Sequence, residues 1–170
     1  AFIREIYTVR TVQVNINDQA LITYQDGQAI KRYSISTALN GSGQQSGSGC
    51  TPTGQHYIRA KIGSDASINS VFIGRRLTGE IYTDQLAQSH PKRDWILSRI
   101  LWLSGLQLGH NRLKNERGSV DSMARYIYIH GTPDTEPMGE PKSHGCIRMR
   151  NSDVLELFDW VPDFCPVTIN

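Results

Sequence analysis

Residues 126–150 read YIYIHGTPDTEPMGEPKSHGCIRMR. An apolar run with strand character ends on His130 and Gly131, a polar loop rich in Gly and Pro follows, and the stretch closes on Ser143, His144, Gly145 and Cys146. Cysteine is the side chain most readily made into a nucleophile near neutral pH. Its ordinary thiol pKa lies only about 1.5 units above 7, and a neighbouring imidazole lowers it further. Two histidines compete for the role of base: His144, two residues before Cys146, and His130, sixteen residues before it and able to return across the loop.

Working outward, the N-terminal side reads as β structure. In residues 7–16, Val12, Val14 and Ile16 recur at a spacing of two, as a strand with one buried face requires. A second strand covers Ala20 to Tyr24, and Asp26-Gly27 turns the chain into a third from Ala29 to Ser36. Residues 40–54, NGSGQQSGSGCTPTG, form a loop, since repeated Gly and Ser raise the entropy lost on ordering. We place this loop inside one domain, beside the active site. Further strands are expected over 56–62, 71–75 and 78–82, while WILSRILWLSG from Trp95 fits strand and helix spacing equally. A cationic loop spans 107–118, suited to a solvated face or to a substrate carboxylate.

Nearer the opening stretch, Ser119 reads as the cap of a short helix running to Ala124, just before the His130 strand. Beyond Cys146, Ser152 reads as an N-cap with Asp153 in the first turn. Val154, Leu157, Phe158 and Val161 repeat at helical spacing, and Pro162 stops the element. The final PVTI segment is expected as an edge strand. The fold class is therefore mainly β with mixed strands, a short helix before the His130 strand and a helix after the cysteine loop.

At 170 residues the chain suits one domain over 1–170, long enough to bury roughly two-thirds of its extended surface. Its 18 Lys and Arg against 16 Asp and Glu leave a net charge of +2, which gives no reason to expect a nucleic-acid partner. No apolar span of transmembrane length and no charged start with an apolar signal core is present in the sequence. Cys50, Cys146 and Cys165 fit neither a structural zinc spacing nor a CxxC pair. With Cys146 as an active thiol, the other two are free to pair as a disulfide or to remain thiols. His110, His130, His144 and Cys146 carry metal-ligating atoms, but their spacing matches no structural zinc pattern, so no metal is expected.

A catalytic thiol needs a base, an orienter for that base, and donors for the oxyanion of the transition state. Gly145 lets the backbone turn closely beneath Cys146, so that peptide N–H groups near the thiol serve as donors. Gly131 permits close approach beside His130, and a backbone carbonyl is a candidate orienter. Tyr57, Tyr82 and Tyr128 read as packing residues, because nothing local lowers their ordinary pKa near 10.

His130-Gly131 followed by Ser143-His144-Gly145-Cys146-Ile147-Arg148 resembles the signature of the L,D-transpeptidase catalytic domain, also called the YkuD domain. Thr51-Pro52-Thr53-Gly54 is similar to another recurrent segment of that family. The resemblance runs through most of the chain and implies a YkuD-like β-sandwich acting on bacterial peptidoglycan stem peptides. It implies that Cys146 attacks the bond between the third and fourth stem residues, that a D-amino acid leaves, and that an amine takes the acyl group to form a direct crosslink between third residues. An outer-membrane lipoprotein, a free D-amino acid or water is the acceptor in some relatives, the last giving an L,D-carboxypeptidase. The same resemblance implies His130 as the proton-transfer residue and the Gly131 carbonyl as its orienter. His144 and Ser143 support the pocket, and N–H groups around Gly145 and Cys146 bind the oxyanion. Arg148 holds a substrate carboxylate or braces the loop. No cofactor, a monomer, export to the periplasm or cell envelope, and acylation by carbapenems complete the expectation. A papain-like hydrolase places its nucleophile before its base, the reverse of the order here, and a wall-binding domain without catalysis is the non-enzyme alternative.

Overall fold

The structure, a computed structural model, describes residues 7–170. Its first hairpins follow from local chemistry. Strands β1 (Arg10–Asn15) and β2 (Ala20–Gln25) pair antiparallel, and β2 pairs with β3 (Gln28–Ser36) across Asp26 and Gly27, whose φ values of 51° and 81° give the twist a two-residue hairpin needs. Val12 and Val14 are buried while Gln13 between them is exposed, so the period of two holds.

The chain continues through β4 (Gly54–Ile62), β5 (Ser70–Ile73), β6 (Arg76–Ile81), α1 (Asp84–Ser89), β7 (Ile96–Gly105), β8 (Lys114–Asn115), β9 (Gly118–Ser119), β10 (Tyr128–Thr132), β11 (Ile147–Arg150), α2 (Asn151–Trp160) and β12 (Pro166–Ile169). Ten strands form one mixed sheet in the order β10-β11-β3-β2-β1-β12-β4-β7-β5-β6, and β10 also pairs with β7, so the sheet closes on itself. The pairs β1–β12 and β10–β11 are parallel. Helix α2 packs on β7, β10 and β11, placing Val154, Leu157 and Phe158 in the core with Leu101, Leu103, Ile129 and Ile147. Each such side chain contributes about 1.5–3 kcal/mol through burial.

The ambiguous run from Trp95 is strand β7. Leu97, Ile100, Leu101 and Leu103 are all fully buried, and the strand has partners along both edges. A strand covered on both faces carries an unbroken apolar run and loses its alternation, which is why spacing alone left it open.

Three other expectations are corrected, and the two alternatives left for the cysteines are decided. Residues 122–126 form turns instead of a helix: Ser119 ends β9, and Asp121 caps the turn by accepting from Ala124 N at 3.1 Å. A segment with only a few residues before β10 begins has no length to repay helix nucleation. Helix α2 starts at Asn151, one residue ahead of Ser152, with Arg150 at the cap and no side-chain cap bond. The PVTI segment lies inside the sheet between β1 and β4, not at an edge. Pro166 is tolerated there because it occupies the first position of the strand. The cysteines are free: Cys165 is buried in the core and donates to Arg10 O at 3.4 Å, while Cys50 sits in the 40–54 loop.

Candidate active site

Strands β10 and β11 lie side by side and parallel, with Ile129 opposite Ile147 and His130 opposite Arg148. Cys146 immediately precedes β11, and Tyr128 N–H donates to its sulfur at 3.4 Å. His130 lies two residues beyond Tyr128 on the same face, a rise of about 6.6 Å along the strand. The register of β10 against β7 shifts between His130 and Gly131, where β7 carries two extra residues, Ser98 and Arg99. Ser98 takes a φ of 71° there. A bulge of this kind re-aims a side chain.

The imidazole is fixed by its own neighbour. His130 Nδ1 donates to Gly131 O at 2.7 Å; since a carbonyl only accepts, the proton sits on Nδ1 and Nε2 keeps its lone pair. Burial holds the His130 pKa below the ordinary value; the Gly131 carbonyl and Asp94 oppose this and Arg148 reinforces it. Gly131 is required by space as well: a Cβ there would lie 2.5 Å from both Asn151 Oδ1 and Leu97 O.

Burial pushes the Cys146 thiol up to about 11; the Tyr128 N–H bond opposes this, Asp94 adds to it, and Arg148 and Arg125 pull it back. The S–H donates to Tyr126 O at 3.4 Å. No hydrogen bond joins His130 to Cys146 among the described residues. Both directions favour the uncharged forms of the thiol and the imidazole at neutral pH.

The 143–146 turn is held from three sides. Ser143 Oγ donates to Cys146 O at 2.5 Å and accepts from Gly145 N at 3.2 Å, while Ser143 N donates to Thr37 O at 2.9 Å. Gly145 has a φ of 137°, which only glycine adopts without strain. Thr51 Oγ1, fully buried, donates to Gly145 O and accepts from Ala38 N, both at 2.9 Å. In a trans peptide C=O and N–H point opposite ways, so the Cys146 N–H faces away from Thr51. The Gly145 N–H is already committed to Ser143.

His144 is exposed and lies 3.7 Å from Asp94 Oδ2 through Nδ1. Arg148 is buried and donates from Nη2 to Asp94 Oδ1 at 3.1 Å, with Nη1 3.8 Å from Glu136 Oε2. Two clefts meet at His144: one of about 300 Å³ contains Cys146, Gly145, Ile127 and Arg125, and the other of about 210 Å³ contains Asp94, Glu136 and Arg148. Tyr128 is buried and accepts from Arg75 Nη1 at 2.9 Å, as a packing residue with a satisfied hydroxyl does. His110 stands apart, 3.1 Å from Thr53 Oγ1. No group of three or more His, Cys, Asp or Glu is placed to hold a metal among the described residues.

Sequence reasoning missed Asp94, Asn151 and Arg125. Asn151 is buried and ties β10 to α2 through Thr132 O at 2.8 Å and accepts from Ser98 Oγ at 2.6 Å. No spacing rule links these residues to the cysteine, although a buried Asn opening a helix is a detectable oddity. For Thr51 the TPTG segment was the signal, without the role.

These features define a closed mixed-sheet domain that sets a His-Gly strand beside a Ser-His-Gly-Cys turn facing an open cleft. The chain belongs to the L,D-transpeptidase catalytic domain family, YkuD, whose model matches residues 9–169. It is 43% identical over 65 residues to YkuD of Bacillus subtilis strain 168, a match covering 35% of this chain and 40% of that protein. Bd1075 of Bdellovibrio bacteriovorus shares the fold with a TM-score of 0.60 at 17% identity, covering 98% of this chain and 49% of that one. L,D-transpeptidase 3 of Mycobacterium tuberculosis, solved with a faropenem-derived adduct, gives 0.55 at 16% identity, covering 96% and 60%. The chain therefore spans about half the length of these solved relatives. No helix among the described residues is long and apolar enough to cross a membrane.

Proposed function

We propose that this domain is a cysteine-dependent L,D-transpeptidase of the cell envelope acting on peptidoglycan tetrapeptide stems. The observation that carries the reading is the His130 Nδ1 to Gly131 O bond, which leaves Nε2 basic on the same face as the sulfur of the adjoining strand segment. Cys146 Sγ attacks the carbonyl of the third stem residue as Nε2 takes the thiol proton. The Cys146 N–H, held by Thr51 through the Gly145 carbonyl, donates to the oxyanion. Collapse breaks the bond to the fourth residue, whose amine leaves with the proton from His130, and a thioester remains. An amine from a second stem then gives its proton to His130, attacks the thioester, and forms a crosslink between third residues while the thiol is restored.

Arg148 braces the loop in this scheme, because Asp94 and Glu136 already face its guanidinium. His144 lies where the two clefts meet, a position suited to separating donor from acceptor peptide. The faropenem-derived adduct of the Mycobacterium tuberculosis relative supports acylation of this thiol by β-lactams of the penem kind. The test is mass spectrometry of products from a defined tetrapeptide muropeptide with and without an added amine acceptor. Release of the fourth residue together with a crosslinked dimer supports transpeptidation. Release with only a tripeptide makes water the acceptor, and no release overturns the proposal.

A further inference from the structure

Arg125 lies in the turn before β10, and its guanidinium reaches across to the 40–54 loop. Nη1 donates to Gly43 O and Gln44 O, both at 3.2 Å, and Nη2 donates to Cys50 O at 2.6 Å and to Ser48 Oγ at 3.4 Å. Every one of these acceptors is neutral. Among the described residues Arg125 forms no ion pair, in contrast to Arg148 with its two carboxylates. It is half-buried and lines the same cleft as Cys146, together with Ser46, Gly47 and Gly49 of the loop it holds.

A half-buried cation that faces only neutral dipoles is incompletely compensated, and its field acts on whatever charge develops beside it. With both terminal nitrogens committed to loop oxygens, Arg125 has no free edge for forked binding of a carboxylate, so it acts as a fixed charge. We propose that Arg125 is a positioning residue for the thiol: it holds the 43–50 segment as a wall of the cleft and favours negative charge on Cys146 Sγ. Arg125 attracts an ionised Cys50 first and an ionised Cys146 second, and the second attraction acts in this sense. The inference rests on Cys146 being the nucleophile.

The test is the rate of iodoacetamide alkylation of Cys146, followed by peptide mass spectrometry between pH 7 and 10, in the parent, Arg125→Gln and Arg125→Lys. Removing an opposite charge from the lining of the same cleft raises a thiol pKa, and each unit of rise slows alkylation about tenfold below that pKa. Arg125→Gln is therefore expected to alkylate about tenfold more slowly at a given pH, while Arg125→Lys stays close to the parent. Superimposable profiles for the parent and Arg125→Gln overturn the proposal, as does an equal slowing in both variants, which would make the role one of loop holding alone. If Arg125→Gln does not fold, Arg125→Lys decides: a parent-like profile supports the charge and a tenfold loss rejects it. Failure here leaves Cys146 essential for turnover, whereas failure of the functional reading leaves Cys146→Ala active.

Discussion

The Thr51 hydroxyl donates to the Gly145 carbonyl at 2.9 Å and accepts from Ala38 N–H at the same distance, binding the TPTG loop to the peptide that precedes Cys146. Thr51→Val keeps the shape and strands two buried main-chain groups. Each unsatisfied group costs about 1–3 kcal/mol. Because the Cys146 N–H is aimed through the same peptide, turnover is expected to fall by roughly 100-fold, the scale of a lost oxyanion donor. Thr51→Ser should restore most of both. Thermal melts and kcat for the two variants check this, and unchanged kcat in a folded Thr51→Val protein contradicts it.

His130 is expected to matter most where the thiol needs help to ionise. With the Cys146 pKa near 11, alkylation at pH 7 proceeds through a small ionised fraction or through base assistance. His130→Ala should therefore slow alkylation at neutral pH, and its rate should converge on the parent's as pH approaches 11. Profiles that coincide throughout would remove His130 as the base.

Stability should fall in acid through a histidine outside the candidate active site. His56 is fully buried: Nδ1 donates to Gly54 O at 3.0 Å, which leaves Nε2 to accept from Ser122 Oγ at 2.8 Å. Burial first of all lowers its pKa from 6.5 to about 4; the Gly54 bond opposes this, and His110 and Arg125 add to it. The folded pKa is depressed, so the contribution is complete above pH 6.5 and is lost as pH falls toward 4. The full shift corresponds to roughly 3 kcal/mol. Urea midpoints should drop between pH 7 and 4.5, and His56→Gln should flatten that slope. The lowered His130 pKa works in the same direction.

Gly131→Ala is expected to cost about 1–3 kcal/mol through overpacking, because its Cβ meets Asn151 Oδ1 and the Leu97 carbonyl at 2.5 Å. The same displacement moves the carbonyl that orients His130. Urea unfolding and kcat should therefore both respond, and a parent-like protein would show that the backbone has room to yield.

Much of this was legible because local chemistry carried it. Asp26-Gly27 announced its hairpin, Val12 and Val14 their buried face, and the spacing from Val154 to Phe158 the helix behind the cysteine loop. His130, Gly131 and Cys146 stood out through residue type and order, and the structure places their segments on adjoining parallel strands. The missing parts are long-range. Asp94 reaches Arg148 across 54 positions, and Arg125 reaches Gly43 across 82. PVTI looked like an edge only because its parallel partner, β1, lies at the other end of the chain. The surroundings of the thiol were hidden for a related reason: the Tyr126 carbonyl and the Tyr128 N–H, twenty and eighteen positions away, contact the sulfur.

The most direct test is the mass of the Cys146 peptide after brief incubation with a tetrapeptide-stem muropeptide. An acyl adduct is expected on Cys146, released when an amine acceptor is added, with no adduct and no turnover in Cys146→Ala. Turnover at the parent rate by purified Cys146→Ala would contradict it.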